Sequence, residues 1–427
     1  MNLLAISQGV LGYGVKYIPS IELNWIGVII RWLIEGVGII GVGIILFTLI
    51  LKTIVLPLDI YSRIKSKKQA LIMEKMRPQM EKLQKQYAND KQMYSQKVME
   101  LQKKSGYSMF GACIPMIVSL VIFLFVFNAF STYSQYANLE SYNDMVTSYN
   151  SVVDTYVQNE ENPEGFLIQT EADGQVDYFV DFTAFAAEYN KNNQTTLTEE
   201  QVFTALMEKY TDEKGTLVAD GAENSQDAQT REAVRLTLVS YYIDGFAAQK
   251  VAQDYYAKMS SPEGDNFLWV KNIWYPDSML NRQIPDFAKF SQTVTSASID
   301  GSYEESYNKV TAALSKEKET YNGYFVLIVL SIGVMLLQQF IAMRTNKSVN
   351  ELGSVDGSGA RTMKWMMILM PVMYGIFAFM YSSAFSIYMI TNTTYSIITT
   401  LIINKAMNVW FAKKEEASEI NRMAHKK

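Results

Sequence analysis

The sequence has very few of the residues that build most catalytic and metal sites. Its 427 residues include one cysteine, Cys113, and one histidine, His425. A single cysteine excludes a disulfide within the chain and a cysteine-based zinc site. A single histidine excludes His-dependent catalytic triads and multi-histidine metal sites within one chain.

Charge and nucleotide-binding motifs are scarce as well. Charged residues make up 19% of the chain, against about 25% in an ordinary soluble protein. Hydrophobic residues reach 49%, which excludes a disordered protein as a class. There is no G-x-x-x-x-G-K-[ST] motif, and the G-x-G-x-x-G pattern at residues 36–41 lies in an apolar run, where small residues allow close helix packing. We therefore predict no enzymatic activity, no cofactor and no metal site.

Long apolar runs are present instead. About 20 mostly apolar residues cross a bilayer as a helix. Five stretches meet or approach this length, at residues 36–59, 109–130, 324–343, 363–381 and 382–404. The fourth stretch is rich in methionine, a flexible side chain suited to variable apolar partners, although ordinary lipid-facing packing explains it equally well.

The charge distribution predicts an orientation for these spans. Residues 57–108 hold 12 Lys and Arg and 5 acidic residues, and the segments 344–364 and 405–427 are also basic. Residues 131–323 carry 31 acidic and 13 basic residues. Because Lys and Arg concentrate on the cytoplasmic side, the basic segments are predicted inside, and the acidic segment and the N-terminus outside.

The predicted fold is an all-α polytopic membrane protein with five transmembrane helices, a cytoplasmic helical hairpin and an inserted extracytoplasmic α+β module. The N-terminal segment 1–35 is extracytoplasmic and ends in an amphipathic helix at 25–35, lying in the membrane interface or simply extending the first span. The module at 131–323 shows a β-hairpin pattern at 165–182, a capping box at 198–201 and a long amphipathic helix at 225–259. Its carboxylates are interpreted as a solvated surface.

The basic segment 60–108 has the pattern of two antiparallel helices. Five apolar residues follow heptad spacing: Met73, Met76, Met80, Leu83 and Tyr87. Pro78 predicts a kink or a break in the first helix. The hairpin is either purely structural or a docking site for a partner, and its cations also attract anionic lipids.

One cation, Lys52, falls inside the first apolar run. Placing a cation at membrane depth costs roughly 2.5–3.5 kcal/mol. The side chain either extends to the cytoplasmic interface or faces a polar cavity between the spans. The residues predicted to line such a cavity are Thr48, Ser119, Gln338, Gln339, Thr391 and Asn392.

Several short motifs, in this order, resemble the YidC-type membrane protein insertases. The first span ends in Lys52-Thr-Ile-Val-Leu-Pro57-Leu58, and the second opens with Gly111-Ala-Cys-Ile-Pro115. Further matches are Phe267-Leu-Trp269 with Pro276-Asp277, Gln338-Gln339, Met370-Pro371, and Tyr388 with Thr391-Asn392. The resemblance covers residues 25–130, 266–278 and 320–410. This chain departs from the family at Lys52, where Arg is usual.

The resemblance implies a non-enzymatic insertase and chaperone of the bacterial cell membrane. A groove floored by Lys52 would receive nascent membrane proteins and pass them into the bilayer. The ribosome, the Sec translocon and anionic lipids are further candidate partners, DNA is not, and we expect a monomer. The basic tail would contact rRNA or anionic lipid through Lys413, Lys414, Lys426 and Lys427. The alternatives are a secondary transporter, and a membrane receptor or scaffold acting through its extracytoplasmic module.

Overall fold

The computed structural model of the chain describes residues 15–106, 109–172, 175–214, 228–345, 369 and 375–424. The described chain is mostly helical and divides into two compact units. The long-helix unit comprises residues 22–134, 262–283 and 321–427, and the α+β unit comprises residues 1–21, 135–261 and 284–320. Each is described separately.

The long-helix unit begins with a short amphipathic helix, α1 (Trp25–Val37). The Asn24 side chain caps it by accepting a hydrogen bond of 2.8 Å from the Gly27 amide. Gly38, with φ of 75°, ends the helix in the left-handed conformation that glycine adopts without strain. The prediction that α1 simply extends the first span is therefore wrong. Trp25 and Trp32 are 71% and 73% exposed.

Helix α2 (Ile40–Gln86) contains 47 residues and runs through both Pro57 and Pro78. The break considered at Pro78 is therefore absent, since a proline removes only one hydrogen bond of the helix while neighbouring turns and packing hold the axis. A short turn leads to α3 (Lys91–Lys104), whose N-terminus is capped by Asp90. The residues packed between α2 and α3 are Ile72, Met76, Met80, Val98 and Leu101.

The predicted seam of this hairpin is present in part. Met76 and Met80 are buried, as is Tyr94 on α3, whereas Leu83 and Tyr87 are half-buried. The side chain of Met73 lies outside the described part of the structure. Met76 and Met80 therefore form the buried centre of the contact between α2 and α3.

Where the structure describes it, the long-helix unit has three more long helices: α4 (Met109–Asp154, whose last residues belong to the α+β unit), α11 (Val326–Thr345) and α12 (Ser383–Ala424). Helix α12 packs against α11 and α2. Among the described residues, Ile40–Gln69 is the only helical segment long and apolar enough to cross a membrane, and Val326–Ala342 is a shorter apolar helix. Most of the predicted fourth span and the loop 344–362 lie outside the described residues, so the five-span arrangement stays a prediction.

The α+β unit contains the predicted hairpin and helices. Strands β1 (Leu167–Ala172) and β2 (Gln175–Val180) pair antiparallel. Helices α5 (Phe182–Asn193), α6 (Glu199–Lys214) and α7 (Ala228–Ser260) follow, and the short helices α8 (Phe287–Thr293), α9 (Glu304–Val310) and α10 (Ser315–Glu319) come after them.

The predicted capping box opens α6. The Thr198 amide donates to Gln201 Oε1 at 2.9 Å, and the Gln201 amide donates to Thr198 Oγ1 at 3.4 Å. The core of the unit is aliphatic and aromatic, with fully buried Tyr142, Phe166, Phe185, Leu206 and Leu238. The α+β unit therefore has a hydrophobic core of its own.

Candidate functional site

A polar cavity of about 300 Å³ lies within the long-helix unit. Residues from α2, α4, α11 and α12 line it, among them Lys52, Gln338 and Asn392. Three residues that are far apart in sequence thus meet at one cavity. They lie on three different apolar helices, which is the arrangement that a polar site between membrane helices requires.

Helical periodicity places the lining residues of α2 and α12. On α2, Lys52, Asp59 and Arg63 are separated by seven and four residues, so they share one face of the helix. On α12 the same spacing governs the polar and aromatic lining residues, which are Tyr388, Asn392, Tyr395 and Thr399. Polar residues therefore recur along about three turns of each helix, and on α2 the apolar side chains of Val55 and Leu56 line the cavity between Lys52 and Asp59.

The cavity carries an excess of positive charge. Its lining includes three cations, Lys52, Arg63 and Lys65, and one carboxylate, Asp59. Arg63 Nε lies 3.0 Å from Asp59 Oδ2, so this carboxylate already has a partner. Within the described part of the chain, half-buried Lys52 has no ion pair within 4 Å. Lys65 has no ion pair there either, so Lys52 and Lys65 are the lining cations available to an incoming anion, and Lys52 is the one inside the apolar run.

Part of the cavity lining is apolar. Ile122, Phe123 and Met335 belong to it, and the Phe123 ring packs 6.3 Å from the ring of Phe385 on α12. An apolar wall lowers the local dielectric, which strengthens the attraction between Lys52 and a negative group in the cavity.

The other residues predicted for the cavity are placed differently. Thr48 is buried, and its hydroxyl donates to the Ile44 carbonyl at 2.7 Å instead of facing the cavity. Gln339 and Thr391 are half-buried beside the lining residues Gln338 and Asn392, but they do not line the cavity among the described residues. The side chain of Ser119 lies outside the described residues.

Sequence reasoning missed several lining residues, namely Asp59, Arg63, Lys65, Thr393, Ser396 and Thr399. Their spacing from Lys52 and Asn392 could have revealed them. Asp59 is the last residue of the first apolar stretch and Arg63 and Lys65 follow it, but all three were counted with the charge of residues 57–108 and not with the cavity.

A second polar cluster explains the motif at Trp269 and Pro276-Asp277. The buried carboxylate of Asp277 accepts hydrogen bonds from the amides of Tyr324 at 2.7 Å and Leu327 at 2.6 Å. It also accepts one from Trp269 Nε1 at 3.2 Å. Asp277 therefore caps the N-terminus of the apolar helix α11 and neutralises the positive end of its dipole.

The same loop also holds the start of α12. The backbone carbonyl of Tyr275 accepts from the Ser383 amide at 3.0 Å and from the Ser383 hydroxyl at 2.7 Å. Asn322 Nδ2 donates to the carbonyls of Asn272, Tyr275 and Pro276. Burial raises the pKa of the Tyr275 phenol well above its ordinary value, so this ring stays neutral. The loop 262–283 thus joins the first residues of α11 and α12.

The basic tail is partly described. Helix α12 continues to Ala424, beyond the predicted span end at residue 404, and Lys413 is exposed on it. The side chain of Lys414 and the residues Lys426 and Lys427 lie outside the described part. The contribution of the tail to binding therefore stays a prediction.

Comparisons with known proteins point to one family. A sequence model described as "60Kd inner membrane protein" matches residues 32–171 and 254–412, more than half of the chain. The match covers the cavity helices and the Asp277 loop. It also extends across residues 131–171 and 254–265, which lie outside the ranges covered by the motif resemblance, and leaves 172–253 unmatched.

Individual relatives match over shorter stretches. A membrane protein insertase YidC of Leptospira interrogans is 41% identical over 69 residues, which are 16% of this chain and 11% of that protein. Insertases of the same name from Fusobacterium nucleatum and Clostridium tetani are each 38% identical, over 17% of this chain and about a third of their own lengths. The chain therefore aligns with about a third or less of each of these relatives. No solved structure matches.

The extent of the family match decides the assignment, because it includes α2, α4, α11 and α12 as far as residue 412, in chain order. The chain belongs to the 60Kd inner membrane protein family, the family of the YidC-type membrane protein insertases.

Proposed function

We propose that the chain is a membrane protein insertase that receives the hydrophilic part of a nascent membrane protein in the cavity at Lys52. The observation that supports this most directly is the cavity itself, which combines an unpaired cation with Gln338 and Asn392 on apolar helices. The family match and the names of the relatives favour the same activity. The proposed action needs no catalytic chemistry, cofactor or ATP.

The physical basis is a lower cost of bringing polar groups to membrane depth. Two opposite charges 4 Å apart attract by about 1 kcal/mol in water and by about 4 kcal/mol at an effective dielectric of 20. A client carboxylate near Lys52 thus gains roughly 3 kcal/mol over the same contact in bulk water. Hydroxyl and amide groups on α11 and α12 accept and donate the hydrogen bonds that the client loses on leaving water.

The proposed membrane arrangement places the cavity toward the cytoplasm. The charge pattern puts the hairpin α2–α3 and the tail inside, and Arg63 and Lys65 lie between Lys52 and that hairpin. In the full proposal five spans carry the site and the α+β unit lies outside. Nascent membrane proteins are the clients. The ribosome and anionic lipids are partners of the basic segments, and a Sec translocon can hand over clients.

The test replaces Lys52 by Arg, Ala and Leu and measures client insertion into the membrane. Two versions of a small client differ only in the translocated tail, with Asp and Glu in one and Asn and Gln in the other. Lys52→Arg should retain insertion because it keeps the charge. Lys52→Ala and Lys52→Leu should slow the acidic client at least tenfold, about 1.4 kcal/mol, and affect the neutral one less.

Two controls separate this mechanism from the alternatives. Lys97→Ala removes an exposed cation on α3, 3.0 Å from Glu100 and outside the cavity, and should leave both clients unaffected. Protein abundance in the membrane is measured for every variant. If Lys52 only extends to the interface, Leu changes little for any client. Equal insertion of the acidic client by all three Lys52 variants would eliminate the proposed role of the cation.

A further inference from the structure

The loop 262–283 exposes apolar side chains at two turns. In the first turn the amide and carbonyl of Phe267 bond to the carbonyl and amide of Val270, at 3.1 and 3.0 Å. Leu268 stands at its tip with a φ of 57° and is 69% exposed. A leucine in the left-handed region is strained, and the exposure of its apolar side chain to water does not stabilise the turn. The turn thus holds a leucine outward at a cost.

The second turn has the same character. The Leu280 amide donates to Ser278 Oγ at 2.9 Å, and Leu280 itself is 82% exposed. Met279 beside it is exposed as well. Soluble protein surfaces rarely expose several large apolar side chains next to one another. The residues around the two turns therefore indicate which kind of partner covers these side chains.

Asp277 holds the two turns next to each other. Its carboxylate binds Trp269, which adjoins Leu268, and Leu280 follows Asp277 by three residues. Because a residue spans at most about 3.6 Å of chain, the backbone at Leu280 lies within about 11 Å of Asp277. The exposed leucines therefore belong to one small region of the long-helix unit.

This region lies at the beginning of two apolar helices. Asp277 bonds to the first turn of α11, and Phe267 packs so closely on Gly41 of α2 that a Cβ there would collide with its ring. The exposed apolar residues continue along α11 with Val329, which is 65% exposed. The leucine turns are thus continuous with the outward apolar surface of a helix predicted to span the membrane.

Cations stand in the same region. Arg282 lies 4.5 Å over the ring of Tyr321, and Lys271 is exposed between the two turns. Long basic side chains beside apolar ones are the usual arrangement at the level of lipid phosphates, where aromatic rings also concentrate. The charge of this surface therefore complements phospholipid headgroups.

We propose that the two turns insert Leu268, Met279 and Leu280 into the outer leaflet, with Lys271 and Arg282 at the lipid phosphates. The loop then acts as a lipid anchor at the outer ends of α2, α11 and α12. This rests on the membrane orientation given under the proposed function, but not on Lys52 or on client binding. The partner is the lipid surface itself, since the anchor is continuous with the lipid-facing side of α11.

The experiment measures the depth of single spin labels on the full-length protein in phospholipid nanodiscs. Cys113 is replaced by Ala, and one Cys is introduced in turn by Leu268→Cys, Leu280→Cys, Val329→Cys and Glu263→Cys. Val329 is the reference for lipid, and Glu263, exposed on the same loop, is the reference for water. Accessibility to oxygen and to a water-soluble nickel chelate is compared at each label. Circular dichroism checks that every variant is folded.

The labels at 268 and 280 should shift toward the Val329 reference, with high oxygen and low nickel accessibility. Labels at 268 and 280 that match Glu263 while the 329 label is in lipid would overturn the anchor and leave the membrane placement intact. A water-accessible label at 329 as well would overturn both. Low accessibility to both reagents at 268 and 280 would show protein contact, by a second copy or another protein, and would also overturn the lipid anchor.

Discussion

The capping role of Asp277 leads to a quantitative prediction. Asp277→Asn preserves the size of the side chain but replaces one acceptor oxygen by an amide NH₂ group. Oδ2 accepts from both Leu327 N and Trp269 Nε1, and Oδ1 accepts from Tyr324 N, so the amide can satisfy only one of the two groups of donors. At best the amide oxygen takes the place of Oδ2 and keeps the bonds from Leu327 and Trp269, and the Tyr324 amide then faces a donor.

The size of the effect follows from these bonds. A hydrogen bond to a charged acceptor contributes about 1.5–3 kcal/mol, and the charge at a helix N-terminus adds about 0.3–1 kcal/mol. One lost bond and the lost charge lower the free energy of unfolding by roughly 2–4 kcal/mol, a large part of the typical 5–15 kcal/mol. Trp269→Phe removes only the bond of 3.2 Å and should cost about 1 kcal/mol.

The assay is reversible unfolding of the purified protein in mixed micelles by titration with sodium dodecyl sulfate, followed by tryptophan fluorescence and far-ultraviolet circular dichroism. Both variants are compared with the parent at one detergent composition, and the Trp269→Phe protein is read by dichroism because it has lost one fluorophore. If Asp277→Asn costs no more than Trp269→Phe, the carboxylate does not hold the start of α11 as described.

Other predictions test separate parts of the molecule. Gly323→Ala places a Cβ against the Asp277 carboxylate and should cost about 1–3 kcal/mol in the same titration, whereas Gly333→Ala on α11 meets open space and should gain up to about 1 kcal/mol; equal effects would refute the contact. Gln194 has a φ of 54° at the end of α5. Gln194→Gly should therefore raise the free energy of unfolding by roughly 1 kcal/mol, whereas Gln194→Ala should leave it unchanged, as measured by proteolysis of the α+β unit in urea. Burial raises the pKa of Tyr156 to about 12, above its unfolded value of about 10. The difference between the two pKa values stabilises the folded state fully below pH 10, and this stabilisation is lost as the pH rises through 12. Tyr156→Phe should therefore weaken the loss of stability between pH 10 and 12 in the same proteolysis assay, and an unchanged pH profile would contradict this.

Local patterns in the sequence account for a large part of what the structure shows. The hairpin β1–β2 turns between Ala172 and Gln175 as the apolar runs and the intervening Asp-Gly predict. Heptad spacing predicted that Met76 and Met80 pack between α2 and α3, and the structure confirms it. The capping box predicted from Thr198 to Gln201 is also present. These features depend on residues near each other in the chain, so spacing and residue type are sufficient to predict them.

Local signals failed where packing overrides propensity. Pro78 does not break α2, because the helix is held by its contacts with α3 as well as by its own hydrogen bonds. Conversely, Gly38 ends α1 in a glycine-rich apolar run where a continuous helix was also plausible. Whether glycine ends or continues a helix depends on the contacts made by the segments on each side.

The cavity shows the same division between chain pattern and three-dimensional packing. The sequence alone indicated Lys52, because a cation within an apolar run is costly whichever way its side chain faces. It also indicated polar residues on the other helices, but not which of them share the cavity: Gln338 and Asn392 line it, whereas their neighbours Gln339 and Thr391 do not. Rotation of each helix about its axis is set by packing against its neighbours, and about 100° of rotation separates one residue from the next. The ion pair of Asp59 and Arg63 joins residues four apart on one helix, a spacing that the sequence itself supplies. That this pair lines the same cavity as Gln338 and Asn392 was decided by the tertiary structure, because it depends on how three helices pack together.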